Sequence, residues 1–171
     1  MQRTRLIATG LIITAFSILG CSVDNGTTCP SDFTGELSAS ETGLVGKWTL
    51  TDMVADESID LTNDNTDNPS TNIYQQYTEC QTDVVYNFNS DRSYHVEVGY
   101  VASNCDNKQA LDGTWKMQAD QIAFVSSCTT QTVDIMVIDS NTFTFTSMYR
   151  FVDVHGVTVN TSVTSTYEKS L

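Results

Sequence analysis

The sequence predicts an all-β fold, an eight-stranded antiparallel up-and-down barrel, with a β-sandwich as the alternative. The 171 residues include 25 Thr and 16 Val but only 2 Pro, a composition that favours strands. Beyond residue 44, apolar and polar residues alternate with a period of two, which is typical of half-buried strands. The predicted connections are mostly short turns, so successive strands pair as a meander rather than through the Greek-key crossings of a sandwich. Such a barrel holds packed side chains or one small ligand.

Residues 1–20 predict an export signal. Arg3 and Arg5 precede an apolar stretch over residues 6–19, which is too short to span a membrane and fits the core of a signal peptide. The segment Ile18-Leu19-Gly20-Cys21 resembles the bacterial lipobox. This resemblance implies a lipoprotein signal peptide, cleavage before Cys21, and acylation of Cys21 by diacylglycerol and a further fatty acid such as palmitate. An ordinary secretory signal before a coincidental cysteine is the alternative.

The residue after the predicted lipidation site bears on location. Ser22, and not Asp, follows Cys21, and by resemblance to enterobacterial sorting this permits transport to the outer membrane. We therefore expect a protein anchored by lipid in a bacterial cell envelope, at the outer membrane. Whether it faces the periplasm or the cell surface is left open.

The charge of the chain excludes one class of partner. The formal net charge is −13, and loss of residues 1–20 removes two arginines and no acid, so the mature chain carries −15. A chain this acidic lacks the attraction to phosphate that dominates nucleic-acid binding. The same charge repels an anionic membrane surface, so membrane attachment has to come from covalent lipid.

Residues 21–43 predict a flexible tether, and residues 44–171 a single barrel domain. The tether is rich in Ser, Thr, Asp, Asn and Gly and has few apolar side chains to bury. The domain begins with a strand over residues 45–53, in which Trp48 and Leu50 alternate with polar neighbours. A long acidic loop over 55–72 and a short helix over 73–80 follow.

The rest of the domain consists of period-two segments separated by turn residues. Turns are predicted at 89–92, 119–120, 139–141 and 155–156. The strands between and beside them are predicted around Val84, Tyr86 and Phe88; Tyr94, Val96, Val98 and Tyr100; Trp115 and Met117; Ile122 and Phe124; Val133, Ile135 and Val137; Phe143, Phe145, Tyr149 and Phe151; and Val157, Val159, Val163 and Tyr167.

The cysteines other than the predicted lipidation site number four, which in an exported chain indicates two disulfides. Cys80 and Cys105 lie at the outer end of a predicted hairpin over residues 83–101. This placement favours their pairing and leaves Cys29 for Cys128. Pairing of Cys105 with Cys128, with Cys29 free, is the alternative.

Several short motifs, in order along the chain, resemble the lipocalins. Gly46-Lys47-Trp48 resembles the lipocalin Gly-x-Trp motif, in which the Trp closes one end of the barrel. Segments resembling those of bacterial lipocalin-like lipoproteins are Tyr86-Asn87-Phe88, Asp91-Arg92-Ser93-Tyr94, Gly113-Thr114-Trp115 and Tyr167-Glu168-Lys169. Cysteines commonly occur in that family at the positions of Cys80 and Cys105. The resemblance covers about residues 44–169 and implies a lipocalin-like barrel. Two motifs and the C-terminal helix of the larger animal lipocalins are missing, so their ligands are not carried over.

Inward-facing apolar side chains are the candidate ligand-binding residues. They either line a cavity for an apolar molecule or fill the interior completely, and the pattern favours neither. The predicted ligand contacts are Trp48, Leu50, Tyr86, Phe88, Tyr94, Val96, Trp115, Phe124, Phe143 and Phe145. The predicted function is non-catalytic binding of a small apolar or amphipathic ligand by a monomer. The alternative is a filled barrel that acts as a structural or protein-interaction module of the envelope.

The sequence predicts no catalytic, cofactor or metal site. His95 and His155 have no nucleophile beside them in the pattern, and we expect both on the surface. Six carboxylates between Asp52 and Asp67 form an oxygen-rich segment of the kind that can hold calcium. Their spacing does not match an EF-hand, so a solvated acidic loop is favoured.

Overall fold

The computed structural model describes residues 28–170, so the predicted signal peptide and Cys21 lie outside the described part. None of the helices in this part is long and apolar enough to cross a membrane. The elements are α1 (Ala39–Leu44), β1 (Gly46–Ile59), β2 (Ser70–Asn72), α2 (Ile73–Gln76), α3 (Glu79–Thr82), β3 (Val84–Phe88), β4 (Ser93–Val98), β5 (Gln109–Gln118), β6 (Gln121–Ser126), β7 (Thr129–Val137), β8 (Thr142–Val152) and β9 (Thr158–Lys169).

Eight strands form a closed antiparallel barrel, which confirms the predicted fold class. The strands pair in the order β1-β3-β4-β5-β6-β7-β8-β9, and β1 also pairs with β9 to close the barrel. β2 is an additional short strand beside the outer part of β1. The up-and-down order follows from the short turns and is not that of the alternative β-sandwich. We call the end that holds the start of β1 the closed end, and the opposite one the open end.

The first strand is longer than predicted. β1 reaches Ile59, beyond the predicted limit at residue 53, because Ala55 and Ile59 remain buried. A bulge between Leu50 and Asp52 shifts the pairing with β9, and it changes which residues of β1 face inward. The acidic loop is correspondingly shorter than 55–72, and the predicted helix over 73–80 is divided into α2 and α3.

Residues 38–44, assigned in the sequence largely to the tether, belong to the folded part. Ser38 caps α1, because its hydroxyl accepts from the Glu41 amide while the Glu41 carboxylate accepts from the Ser38 amide. Leu44, at the end of α1, is buried in the barrel core. The Trp48 indole donates to the Leu44 carbonyl at 2.7 Å. The helix thus covers the closed end of the barrel.

A buried ion pair joins α1 to the barrel. Arg92, in the turn before β4, is 4 % exposed, and Glu41 is 2 % exposed. The guanidinium donates to both Glu41 carboxylate oxygens, at 2.7 and 3.0 Å, and to the carbonyls of Gly35 and Glu36. The amide of Met117 also donates to Glu41. Each charge therefore has several partners, which a buried ion pair requires.

The closed end is filled with aromatic rings. Trp48, Phe88, Trp115 and Phe143 are at most 1 % exposed and pack with centroid distances of 4.8 to 6.3 Å. Gly113, on β5, allows the Tyr94 ring to lie against the backbone. A Cβ atom at position 113 would stand 2.7 Å from that ring and 2.2 Å from the Val125 carbonyl oxygen.

Two disulfides connect Cys80 to Cys105 and Cys29 to Cys128, which confirms the favoured pairing. The first links α3 to the loop between β4 and β5. The second attaches the N-terminal segment to the β6–β7 turn at the open end. From there the segment runs along the outside of β5, where the Phe33 amide donates to the Thr114 hydroxyl, and it reaches α1 at the closed end.

Candidate ligand-binding site

The open half of the barrel contains a cavity of about 780 Å³. Its walls come from β1, β3, β4, β5, β8 and β9, with α3 at one side. The lining residues are Leu50, Met53, Tyr77, Gln81, Val84, Tyr86, Val96, Val98, Lys108, Gln109, Ala110, Leu111, Tyr149, Ser165 and Tyr167. A second cavity of about 110 Å³ adjoins it and reaches β6 and β7 through Phe124, Gln131 and Val133. The barrel is therefore filled at one end and hollow at the other.

Part of the open end is covered by α2 and α3. β1 and β3 pair only from Gly46 to Thr49, and further out they diverge. Ile73 at the start of α2 is fully buried, and the Gln76 side chain accepts from the Leu61 amide at 2.7 Å. α3 is held by the Cys80 disulfide. Both helices are thus fixed over the divergence between the two strands.

The cavity wall is mostly apolar and nearly uncharged. Among the described residues that line the two cavities, Lys108 is the only charged side chain, and it stands at the rim with Gln81 and Gln109. Burial raises the pKa of the Tyr86 and Tyr167 hydroxyls. Both phenols are therefore neutral donors at physiological pH, which suits a polar but uncharged ligand group.

The structure divides the ten predicted contacts between the two ends of the barrel. Six of them line the cavities, namely Leu50, Tyr86, Tyr94, Val96, Phe124 and Phe145. The other four, Trp48, Phe88, Trp115 and Phe143, lie in the filled closed end. The sequence pattern identifies inward-facing residues correctly, but it carries no information on how far along the axis the packing extends.

Other lining residues are absent from the predicted contacts. Ser165 and Tyr167 alternate inward along β9, and Tyr149 does so on β8, so the period-two pattern that selected their neighbours could have found them. Tyr77 and Gln81 have no such signal, because they belong to a short helical segment outside the strands.

The two histidines lie away from the cavities. His95 is about one-third exposed, and its Nδ1 is 2.7 Å from Asp112 while Nε2 is 3.3 Å from Glu97. The hydrogen bond with Asp112 raises the pKa of His95. The His155 side chain is exposed in the turn between β8 and β9.

Two carboxylates of the acidic loop, those of Asp60 and Asp64, accept local hydrogen bonds. Asp60 accepts from the amides of Asn68 and Thr62, at 3.1 and 3.0 Å, and the Asn68 bond is the main reason why the pKa of Asp60 is lowered. Asp64 accepts from the Thr66 amide in the same way. Within residues 28–170, no three His, Cys, Asp or Glu side chains come together as a metal site.

Comparisons with known proteins give a family and a structural likeness. The model of a family described as "Domain of unknown function (DUF5004)" matches residues 22–170. The chain is similar to a solved structure titled "Odorant Binding Protein OBP1", with 13 % identity and a TM-score of 0.38 over 80 % of this chain and 76 % of that one. None of the curated proteins matches.

Proposed function

The chain belongs to the DUF5004 family, and we propose that its barrel binds a small apolar or amphipathic molecule without catalysing a reaction. The observation that carries this proposal is the cavity of about 780 Å³ in the open half of a barrel whose other half is tightly packed. Ligand pockets commonly measure about 300–1,000 Å³, with apolar walls and few polar groups. This cavity has the same size and character.

The distribution of polar groups indicates how the ligand lies. Val84, Val96 and Val98 form one apolar wall, and Gln81 and Lys108 stand at the rim. An amphipathic molecule would place its apolar part between the valines and its polar end at the rim. Acid–base catalysis requires paired titratable groups close to a substrate. The described lining offers one lysine and neutral hydroxyls, which supports binding rather than catalysis.

A matched pair of variants on β4 tests the cavity. Val98→Trp fills it near the rim, whereas Glu97→Trp places the same side chain outside the barrel. Binding is measured by the fluorescence of N-phenyl-1-naphthylamine titrated with the purified full chain. We expect V98W to weaken binding at least about ten-fold, a loss near 1.4 kcal/mol, and E97W to bind as the wild type does. Equal binding by both variants and the wild type would place the dye elsewhere and contradict the proposal.

We further propose that Cys21 carries a lipid that anchors the protein in a bacterial envelope. The support comes from the lipobox-like segment and from two disulfides, which are typical of exported proteins. Eight positions separate Cys21 from Cys29, and Cys29 is fixed at the open end. An extended chain covers about 3.5 Å per residue, so the anchor would hold Cys29 within about 28 Å of the bilayer.

Fractionation of cells that express the wild type or Cys21→Ala tests the anchor. The wild type is expected in the membrane fraction, and C21A in the soluble exported fraction or retained as an uncleaved precursor. The intact mass of the membrane-bound wild type should include the acyl chains. A C21A protein that is processed normally and stays with the membrane would contradict lipid anchoring.

The alternative of a filled barrel that acts only as an interaction module has less support, because the open half is hollow.

A further inference from the structure

The barrel wall has a gap between β7 and β8. Their pairing covers only Asp134–Val137 against Phe143–Thr146, although β7 begins at Thr129 and β8 continues to Val152. β7 remains paired with β6 as far as Thr129, and β8 remains paired with β9 as far as Val152. Two intact halves of the wall therefore separate towards the open end, and each has an edge without a ladder partner.

The gap communicates with the ligand cavity. The smaller cavity is lined from β7 by Gln131 and Val133 and from β8 by Ser147 and Tyr149, which are the inward residues on either side of the gap. The residues shared by the smaller and larger cavities are Tyr86, Val96, Leu111, Tyr149, Ser165 and Tyr167. A molecule that passes between β7 and β8 would thus arrive in the main cavity.

The two places where neighbouring strands diverge differ in whether another segment covers them. The one between β1 and β3 is covered by α2 and α3, which Ile73 and the Cys80–Cys105 disulfide hold in place. No segment within residues 28–170 pairs with the free edges of β7 and β8. Met148, on the outer face of that edge, is 72 % exposed, and Tyr149 is 39 % exposed. Natural proteins usually avoid exposed apolar side chains beside an unpaired strand edge, so their presence here indicates a functional role for this edge.

We propose that the gap between β7 and β8 is a lateral entrance, through which the apolar part of an amphipathic ligand slides into the cavity. This inference rests on the proposed binding function and adds the route by which the ligand reaches its site. The wall on both sides is neutral, with amide and hydroxyl groups from Gln131 and Ser147 beside Val133. Such a mixed lining fits a molecule with an apolar chain and an uncharged polar group. The Cys29–Cys128 disulfide precedes β7 directly, so it also places Cys29 of the N-terminal segment beside this entrance.

A disulfide across the gap tests the entrance. Continuation of the β7–β8 register would bring Thr132 opposite Met148. Thr132→Cys with Met148→Cys should therefore close the gap when the two thiols are oxidised to a disulfide. The matched control is Asp134→Cys with Thr146→Cys, two residues away along each strand, where the strands already pair. The variant T132S/M148S controls for the substitutions themselves. Intact mass confirms closure of each bond, and a short bismaleimide bridges the same two thiols if the gap is too wide for a disulfide.

The readout is the association rate of N-phenyl-1-naphthylamine in a stopped-flow experiment with the full chain. We expect closure of the gap to slow association and dissociation at least about ten-fold, while the control bridge and the serine variant stay within about two-fold of the wild type. An unchanged rate in the closed variant would overturn the inference and assign entry to the rim at Lys108. If the wild type itself fails to bind the dye or any other apolar probe, the proposed function fails and the entrance falls with it.

Discussion

Glu41→Gln is the substitution with the most clearly defined consequence. The guanidinium of Arg92 is the main cause that lowers the pKa of Glu41, from 4.5 to about 2. Such a difference between the folded and unfolded chains corresponds to about 3 kcal/mol of stability at neutral pH. Because the folded pKa is the lower one, this stabilisation is complete above pH 4.5 and is lost as the pH falls towards 2. Removal of the charge also leaves Arg92 buried with carbonyl partners alone.

Urea unfolding of the wild type and E41Q at several pH values between 7 and 3 is the measurement. We expect E41Q to be less stable by about 3–5 kcal/mol at pH 7. The difference between the two proteins should narrow below pH 4.5 and fall by roughly half at pH 3, since the other carboxylates titrate in both proteins. A difference that is the same at pH 7 and pH 3 would refute the assignment of this stability to the ionised Glu41.

Substitution of both partners distinguishes the contribution of the ion pair to stability from the contribution of packing. The double variant E41Q/R92M should be closer to the wild type than E41Q is, because it leaves no unpaired charge in the protein interior. If E41Q/R92M is instead less stable than E41Q, the two substitutions add in the free energy of unfolding. That result would show that Arg92 acts through its contacts with Gly35 and Glu36 rather than through Glu41.

Two further predictions concern β5 and its neighbour. Gly113→Ala should destabilise the barrel by at least about 3 kcal/mol in urea unfolding, because its Cβ meets backbone, whereas Gly43→Ala has nothing within 4 Å and should be nearly neutral. Equal effects of the two changes would contradict the close approach at position 113. The pKa of His95 measured by NMR should exceed 6.5 and fall towards it in Asp112→Asn. The stabilisation from this contact is complete below pH 6.5 and is lost as the pH rises through the raised pKa; an unshifted His95 in the wild type would exclude the contact in solution.

The sequence allowed the barrel to be predicted because its strands are local and repetitive. Alternation about Tyr94, Trp115 and Phe143 identifies inward faces without knowledge of any partner strand. The bulge in β1 breaks this alternation, so the inward Met53 and Ala55 followed a register that only pairing with β9 revealed. α1 was not predicted, for a related reason: Leu44 is buried against an end of the barrel that forms only when the strands have closed into the barrel.

From the sequence alone, the all-β class, the meander order and most inward faces of the strands could be predicted, and the pairing of Cys80 with Cys105 was favoured over the alternative. These properties depend on residue periodicity and on neighbours in the chain. The tertiary structure decided where the barrel is filled and where it is hollow, how Glu41 and Arg92 meet, and where β7 and β8 separate. Each of these depends on distances between residues far apart in the chain. Cavity volume is what remains after all the side chains have packed, so no local pattern encodes it.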